Sequence, residues 1–295
     1  MFLCYTDNMY HVFIANSALM LNLLHGLDDI ASSHFPVLIS GEHGVGKELV
    51  AEQIHLKGSN RNFPFVRIQC SNADDAVVDE NRLAEGTSLF FDEISLLTKN
   101  QQERLLHLIQ EKRFPQTLRM IASTSKDIET FVDEGLFDKT LFSYLNILPV
   151  TVPALRHHRD DVEALALYFM RIYCRAMNKT VDSISAVALK LLKEHYWPGN
   201  VRELKNMMER AVMLCSEKTL DADDFPLIKN ERSIVDESLN ASDRSLKTSL
   251  DRFKKQYVME ILNETRWNKS AAARILDVQR TYVFRLMKEL DISQD

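Results

Sequence analysis

Glycine and cysteine are both scarce in this sequence. Only eight of its 295 residues are glycine, which excludes collagen-like and glycine-rich low-complexity chains. The four cysteines lie far apart without metal-ligand spacing, so neither a disulfide-stabilised scaffold nor a cysteine metal site is expected. Reduced thiols in a cytoplasmic protein are the simplest interpretation.

Long apolar runs are missing as well. No stretch approaches the ~18–20 residues that cross a bilayer, and residues 1–7 lack the basic region of a signal peptide. We therefore expect a cytoplasmic localisation and no membrane partner. The nine histidines form no metal motif, and the one adjacent pair, His157 and His158, is predicted to lie in a solvated loop.

Charge is unevenly distributed along the chain. The formal net charge is −6, yet residues 244–295 carry eleven Lys/Arg against seven Asp/Glu, a local balance of +4 that leaves −10 for the rest. A basic terminal segment attached to an acidic body is typical of a small DNA-binding module on a larger domain. A length of 295 residues with 45% hydrophobic content allows two or three domains with buried cores.

Three of the eight glycines stand together in front of a lysine. They follow the apolar run 37–39 and precede a helix-like segment. Glycines let backbone N–H groups point at phosphates, the helix N-terminus adds positive potential, and the lysine reaches the β- and γ-phosphates. An ordinary glycine turn between strand and helix is the alternative. The candidate nucleotide-binding residues are Gly41, Glu42, His43, Gly44, Val45, Gly46, Lys47 and Glu48.

A second motif ends an apolar run in two carboxylates. Residues 88–91 are typical of a fully buried strand, and ligands of open α/β sheets bind at the carboxyl ends of the strands. Asp92 would then hold Mg²⁺, directly or through water, and Glu93 would polarise the attacking water. Taken alone, the pair is better explained by helix capping or a solvated loop. Both motifs together predict that the chain binds ATP or ADP with magnesium.

Short apolar runs alternate with helical patterns over about residues 10–150. This alternation predicts an α/β fold with a parallel sheet. We divide the chain into an α/β nucleotide-binding region, an α-helical lid, a polar linker and an all-α DNA-binding domain, at residues 1–153, 154–225, 226–243 and 244–295. The predicted strands are 36–40, 65–69, 88–91, 118–123 and 147–152, and the predicted lid helices are 162–173, 184–196 and 201–215.

The C-terminal segment predicts a helix-turn-helix. A helical run over 246–264 is followed by a small-residue helix over 269–276, a tight turn and a basic helix over 279–290. A plain helical hairpin is the alternative, because alanine-rich helices are common. The candidate DNA-binding residues are Lys269, Gln279, Arg280, Thr281, Tyr282 and Arg285.

These motifs resemble those of the bacterial enhancer-binding proteins, the sigma-54-type AAA+ transcriptional regulators with a Fis-like C-terminus. Residues 41–48 are similar to the family's GESGTGKE, in which glutamate after the lysine is normal, and residues 89–94 to its LFLDEI. Residues 197–204 match its WPGNVREL, and 155–161 resemble its connector before the lid. The resemblance implies an AAA+ core in which Arg202, the sensor II arginine, reaches the nucleotide from the lid.

The sequence also departs from the family pattern. The family's polymerase-contacting loop, GAFTGA, belongs between the second strand and the carboxylate-bearing strand. Here about a dozen residues separate Cys70 from Ala84, and no glycine occurs between Gly58 and Gly86. We interpret this as loss of the loop.

Four catalytic positions differ as well. The resemblance places the two arginine fingers at Asp138 and Tyr144, the sensor I asparagine at Ser125, and the asparagine that switches the catalytic glutamate at Gln69. An arginine finger supplied in trans is worth about 10³–10⁵ in rate. The departures predict weak or absent ATP hydrolysis and an inability to activate sigma-54 RNA polymerase alone.

Three hypotheses follow. The first is a DNA-binding transcriptional regulator that uses ATP or ADP as a ligand and forms a dimer or a ring. The second is a working ATPase that remodels a partner, with Arg113, Arg119 or Arg156 replacing the lost fingers. The third is a regulatory subunit that joins a complete AAA+ activator. Double-stranded DNA is the expected partner in the first, and contact with RNA polymerase is left open.

Overall fold

The computed structural model describes residues 13–71, 84–111, 117–226, 228 and most of 254–292. The chain forms two compact units, Met1–Phe225 and Pro226–Asp295. Among the described residues, no helix is both long and apolar enough to cross a membrane.

The first unit contains a five-stranded parallel sheet, as the alternating sequence pattern predicts. Its strand order is β2-β3-β4-β1-β5. The register pairs Val37 with Ile121 and with Leu148, and Phe90 with Ile121. The strands are β1 Val37–Ser40, β2 Phe65–Gln69, β3 Ser88–Asp92, β4 Arg119–Thr124 and β5 Leu148–Thr151.

Five helices of this region accompany the strands. A side-chain oxygen caps several helix N-termini, including Ser17 before α1, Thr98 before α3 and Asp127 before α4, each accepting an orphan backbone N–H. The helices are α1 Ala18–Ser32, α2 Lys47–Lys57, α3 Lys99–Gln110, α4 Ile128–Asp133 and α5 Lys139–Leu145.

The central strands are buried on both faces. Leu89 and Phe91 join a core cluster with α3 and α5, whereas Phe90 joins a cluster with α1 and α2 on the opposite face. Alternate residues of one apolar run thus fill two cores, which explains why the run is continuously hydrophobic.

The lid is mainly helical but contains a feature that the sequence analysis missed. A short parallel pair of strands, β6 Ser183–Ile184 and β7 Thr219–Leu220, connects the middle of the lid with its C-terminal part. The predicted helix from Ile184 therefore starts too early, because Ser185 adopts an extended conformation and caps the helix that follows. The lid helices are α6 Asp161–Met177, α7 Ala186–Glu194 and α8 Asn200–Leu214.

The second unit contains α9 Lys269–Ile275 and α10 Arg280–Glu289. Asn268 caps α9 by accepting from the N–H groups of Ser270 and Ala271. Ala272 and Val283 are buried together with Leu262 of the preceding segment. Of the predicted linker, only residues 226 and 228 are described, and much of the predicted helix 246–264 also lies outside the described residues.

Candidate nucleotide-binding site and helix-turn-helix

The sequence motifs converge at the carboxyl ends of three neighbouring strands. The glycine-rich loop follows β1, Asp92 and Glu93 end β3, and Ser125 follows β4. In parallel sheets this edge is where ligands bind. The loop, both carboxylates and Arg202 line one cleft of about 690 Å³.

The glycine-rich loop has a backbone that only glycine adopts without strain. Gly44 and Gly46 have φ values of 78° and 98°, and α2 begins directly after Gly46. A Cβ at Gly44 would lie 2.3 Å from the carbonyl oxygen of Gly199 and 3.0 Å from Cβ of Arg202. Glycine at 44 thus permits the lid to touch the loop, where the N–H of Arg202 donates to the carbonyl of Gly44 at 3.2 Å.

Lys47 is buried at the base of the loop, with 7% of its side chain exposed. Its ammonium donates to the carbonyl oxygens of Gly41 at 2.9 Å and Glu42 at 3.2 Å, and lies 2.9 Å from Oε1 of Glu93. The lysine that phosphates would contact is therefore paired with the glutamate that would polarise water.

Glu93 is held on its other oxygen by Ser125. Oε2 accepts the backbone N–H of Ser125 at 2.8 Å and its hydroxyl at 2.9 Å. Burial alone would raise the pKa of Glu93, but the contacts with Lys47 and Ser125 outweigh it and hold that pKa below its ordinary value. Glu93 is thus an anion fixed between two donors.

Asp92 is engaged on both oxygens. Oδ1 accepts the hydroxyl of Ser123 at 3.0 Å, and Oδ2 accepts Nη2 of Arg67 at 2.6 Å. The other nitrogen of Arg67 pairs with Glu48. Carboxylate oxygens are ligands that Mg²⁺ prefers. Magnesium at Asp92 would therefore have to share that carboxylate with Arg67, a residue that the sequence analysis did not single out.

His43 adds an imidazole to the same place. Its Nε2 lies 2.9 Å from the hydroxyl of Ser125, and its Nδ1 lies 3.8 Å from Oε1 of Glu93. His43, Lys47, Glu93 and Ser125 thus form one cluster at the phosphate end of the cleft.

The lid contacts the glycine-rich loop through Glu42. Arg156 makes a bidentate ion pair with its carboxylate, and Asn200 donates to its Oε2 at 3.1 Å and to the carbonyl of His43 at 3.0 Å. The hydrogen bond from Arg156, followed by that from Asn200, lowers the pKa of Glu42 to about 2. We name this contact set, Glu42, Arg156 and Asn200, the loop seam.

The opposite end of the cleft is apolar. The sequence analysis missed this wall, because its residues come from two distant segments. Helix α6 supplies apolar residues at i, i+3, i+4 and i+7, a spacing that signals one face but not what it meets. The lining residues are Phe13, Ile14, Met20, Leu165, Tyr168, Phe169 and Ile172.

A buried carboxylate joins these two segments. Asp161, at the start of α6, accepts the backbone N–H of Asn16, the N–H of Ser17 at 2.7 Å, the hydroxyl of Ser17 at 2.6 Å, and Nδ1 of His158 at 2.8 Å. The prediction of a solvated loop is thus wrong for His158, which is buried, because Asp161 supplies a partner for its ring. We name the set Asn16, Ser17, His158 and Asp161 the entry seam.

The positions that the resemblance assigns to arginine fingers have other local roles. The carboxylate of Asp138 caps α5 by accepting the N–H of Leu141 at 2.8 Å. Tyr144 is exposed, although partial desolvation raises the pKa of its phenol. Gln69 is the last residue of the edge strand β2 and lines the cleft.

The proposed substitute arginines are bound within their own chain. Arg119 is buried and donates to the carbonyls of Ile30 and Ser33 at the end of α1, and Arg156 belongs to the loop seam. These contacts argue against either as a finger that reaches a neighbour. Arg113 lies outside the described residues.

In the second unit, several predicted DNA-binding residues are exposed. Thr281, Tyr282 and Arg285 of α10 are at the surface, and the guanidinium of Arg285 lies 4.6 Å from the ring centroid of Tyr282. The ammonium of Lys269 lies 4.5 Å from the ring of Phe284. Gln279 and the side chain of Arg280 lie outside the described residues.

The cleft fits a nucleoside phosphate. Its polar end offers a glycine loop at a helix N-terminus and a buried ammonium, and its other end offers an apolar wall. Fold and site define a P-loop protein of the AAA+ type with a helical lid and a helix-turn-helix domain.

Comparison with known proteins identifies the family. Residues 14–155 match the Sigma-54 interaction domain, 156–241 the AAA+ ATPase lid domain, and 249–290 the Fis family of bacterial regulatory proteins. Regulatory protein AtoC of Escherichia coli K12 is 30% identical over 95% of this chain and 68% of its own length. The transcriptional regulatory protein ZraR of Klebsiella oxytoca is 32% identical over 90% and 66%. The chain belongs to the sigma-54-interacting AAA+ transcriptional regulators.

Relatives are generally longer than this chain. It spans 48% of the DNA-binding transcriptional activator HyfR of Escherichia coli K12, at 31% identity over 95% of this chain. NtrX of Brucella abortus, solved also with ADP and with ATP, superposes with TM-scores of 0.66–0.67 at 26–27% identity, over at least 95% of this chain and 69–70% of NtrX. The RuvB motor of Thermotoga maritima shares the fold, with a TM-score of 0.52 at 19% identity, over 91% of this chain and 84% of RuvB.

Proposed function

We propose that this chain is a DNA-binding transcriptional regulator whose AAA+ core uses ATP or ADP as a ligand, hydrolyses ATP weakly or not at all, and does not activate sigma-54 RNA polymerase alone. The observation that carries this proposal is the role of Asp138, which caps a helix of its own chain where the family resemblance expects a catalytic arginine. Because Arg119 and Arg156 are bound internally, neither restores that charge.

The proposal assigns roles to the residues of the cleft. The loop from Gly41 to Glu48 and the ammonium of Lys47 would bind the phosphates, Arg202 would reach them from the lid, and Asp92 would hold Mg²⁺. Bound magnesium would supply charge neutralisation at the phosphates. The apolar wall would take the base.

Glu93 is the one candidate catalytic group. A general base must lie within hydrogen-bond reach of the proton that it takes, with a free acceptor. Both oxygens of Glu93 already accept from, or pair with, Lys47 and Ser125. A catalytic water would have to compete with these partners for the carboxylate, which supports the proposal of weak turnover.

Steady-state ATP hydrolysis tests the proposal. We would measure it over a wide range of protein concentration, with and without DNA, beside the Glu93→Gln variant. The expected result is turnover no higher than that of the variant. Hydrolysis that rises cooperatively with concentration and vanishes in Glu93→Gln would contradict the proposal and support the remodelling ATPase.

DNA binding requires its own test. An Arg285→Ala change is expected to weaken binding about fivefold at every sequence tested and to reduce the salt dependence, if this residue contacts phosphate. Fluorescence anisotropy at several salt concentrations measures both, and Arg210→Ala, an exposed arginine of the lid, is the matched control.

We expect binding as a dimer or larger oligomer, since the basic patch is modest; sedimentation with and without DNA checks this.

A further inference from the structure

His43 is the least buried member of the cluster at the phosphate end. About 64% of its side chain is exposed, yet Nε2 lies 2.9 Å from the hydroxyl of Ser125. The family stretch that this loop resembles has serine at the same place. An imidazole here is therefore a property of this chain and not of the motif.

The hydrogen bonds of Ser125 fix which group donates. Its hydroxyl proton goes to Oε2 of Glu93 at 2.9 Å, so its oxygen accepts the bond that it shares with His43. A serine hydroxyl has one proton and two lone pairs. Nε2 of His43 consequently carries a hydrogen and acts as the donor.

This donor lies close to the lysine that would contact the outermost phosphates. The lysine of a glycine-rich loop contacts the β- and γ-phosphates. Lys47 is 2.9 Å from Glu93, and Nδ1 of His43 is 3.8 Å from the same oxygen, so ammonium and imidazole flank one point. That point is Oε1 of Glu93, beside the ends of β3 and β4, so His43 and Lys47 present their nitrogens to the same small region.

We propose that His43 is a specificity-determining residue that distinguishes ATP from ADP by donating a hydrogen bond to the terminal phosphate. The inference rests on the proposed nucleotide binding. With ADP, the contact between His43 and Ser125 persists. With ATP, the imidazole exchanges the serine oxygen for a charged phosphate oxygen, and Ser125 keeps its bonds to Glu93. ATP thereby changes the cluster even without hydrolysis.

The test compares two nucleotides and four proteins by isothermal titration calorimetry. The full chain is titrated with magnesium and either ADP or the non-hydrolysable imido analogue of ATP. The variants are His43→Ser, His43→Gln and His107→Ser. The last is the matched control, because His107 is 66% exposed and lies on α3.

His43→Ser is expected to lose about tenfold or more in affinity for the ATP analogue and to retain that for ADP, as removal of a hydrogen bond to a charged group predicts. His43→Gln, whose side-chain amide still donates, should retain more of the affinity for the analogue than His43→Ser. His107→Ser should bind both nucleotides like the unmodified chain. Equal affinity of the analogue for His43→Ser and the unmodified chain would overturn this inference and leave nucleotide binding intact. Failure of the unmodified chain to bind either nucleotide would overturn both proposals.

Discussion

The lid meets the rest of the AAA+ unit at two seams built from opposite physical chemistry. In the loop seam, the carboxylate of Glu42 has 44% of its side chain exposed and faces two partners, Arg156 and Asn200. In the entry seam, the carboxylate of Asp161 is fully buried and accepts four donors. The ion pair of the loop seam is partly exposed to solvent, whereas the entry seam resembles part of a core.

This contrast indicates that the two ends of the cleft differ in rigidity. A buried carboxylate with all its donors supplied is costly to disrupt, whereas a half-exposed ion pair contributes little and can open. We infer that the apolar wall near Phe13 is fixed, while the phosphate end adjusts when nucleotide binds. Four substitutions, from the largest expected effect to the smallest, can break or sharpen this comparison.

The largest effect is expected for Asp161→Ala. The change leaves His158, Ser17 and Asn16 with buried donors lacking an acceptor, so the free energy of unfolding should fall by about 3 kcal/mol or more. Urea denaturation followed by circular dichroism measures it. Asp160→Ala is the matched control, because Asp160 is exposed and its side chain makes no cap hydrogen bond. A loss similar to that of the control would show that the entry seam is not a core element.

The same pair of proteins yields a pH prediction. Burial alone would raise the pKa of Asp161, but His158, Ser17 and Asn16 outweigh it and lower that pKa. The stabilisation is therefore complete above about pH 4, the ordinary aspartate value, and is lost as pH falls through the lowered pKa. The difference in unfolding free energy between the unmodified chain and Asp161→Ala should shrink as pH falls below 4. A difference that grows on acidification would refute the assignment.

Asn200→Gly should have an intermediate effect. Asn200 is buried at φ 54°, and its side chain bonds Leu155, Glu42 and His43. Glycine keeps the backbone unstrained, so the loss reports on these bonds and should reach about 2 kcal/mol. The denaturation midpoint and slope measure it. Asn178→Gly, also at positive φ but at the end of α6, is the control and should change stability little.

Glu42→Gln is expected to change stability by less than about 1 kcal/mol, since the pair with Arg156 is half-exposed. Its contribution is present above about pH 4.5 and is lost as pH falls through the lowered pKa of about 2. The visible effect should be faster amide exchange at Arg202, whose N–H donates to Gly44. Hydrogen-exchange mass spectrometry of peptides from α8 measures it, with those from α6 as the internal control. Unchanged exchange in α8 would mean that Glu42 does not hold the lid.

The smallest effect is expected for Arg67→Gln. Arg67 bridges Glu48 and Asp92 at the surface of the cleft, so stability should change by less than about 0.5 kcal/mol. Removing its charge makes Asp92 more available to magnesium, and nucleotide affinity should then depend more steeply on magnesium concentration. Calorimetry at several magnesium concentrations measures this. Equal dependence in both proteins would show that Arg67 does not compete with the ion.

The sequence predicted the parallel sheet well for a physical reason. Leu89, Phe90 and Phe91 are consecutive apolar residues bounded by polar ones, a pattern typical of a strand covered on both faces. The glycine-rich loop was equally visible, because its backbone demands Gly44 and Gly46 at positive φ.

The entry seam and the apolar wall could not be predicted in this way. Both depend on pairing across the chain, as when Asp161 receives Ser17, and local patterns do not report such distant partners. His158 was misassigned for the same reason. The short strand at Ile184 was missed because two residues give no period that a sequence could reveal.

The contact of Gly44 with Gly199 has an evolutionary consequence. The two residues belong to motifs far apart in sequence. Because Gly44 has no side chain, the backbone of Gly199 can lie against it. A methyl group added at position 44 would hold the lid away from the loop, whatever its effect on phosphates. The loop motif and the lid motif are therefore expected to be inherited as one unit. A chimera that takes the loop from one relative and the lid from another would preserve function only if the residue at position 44 still leaves room for the backbone at position 199.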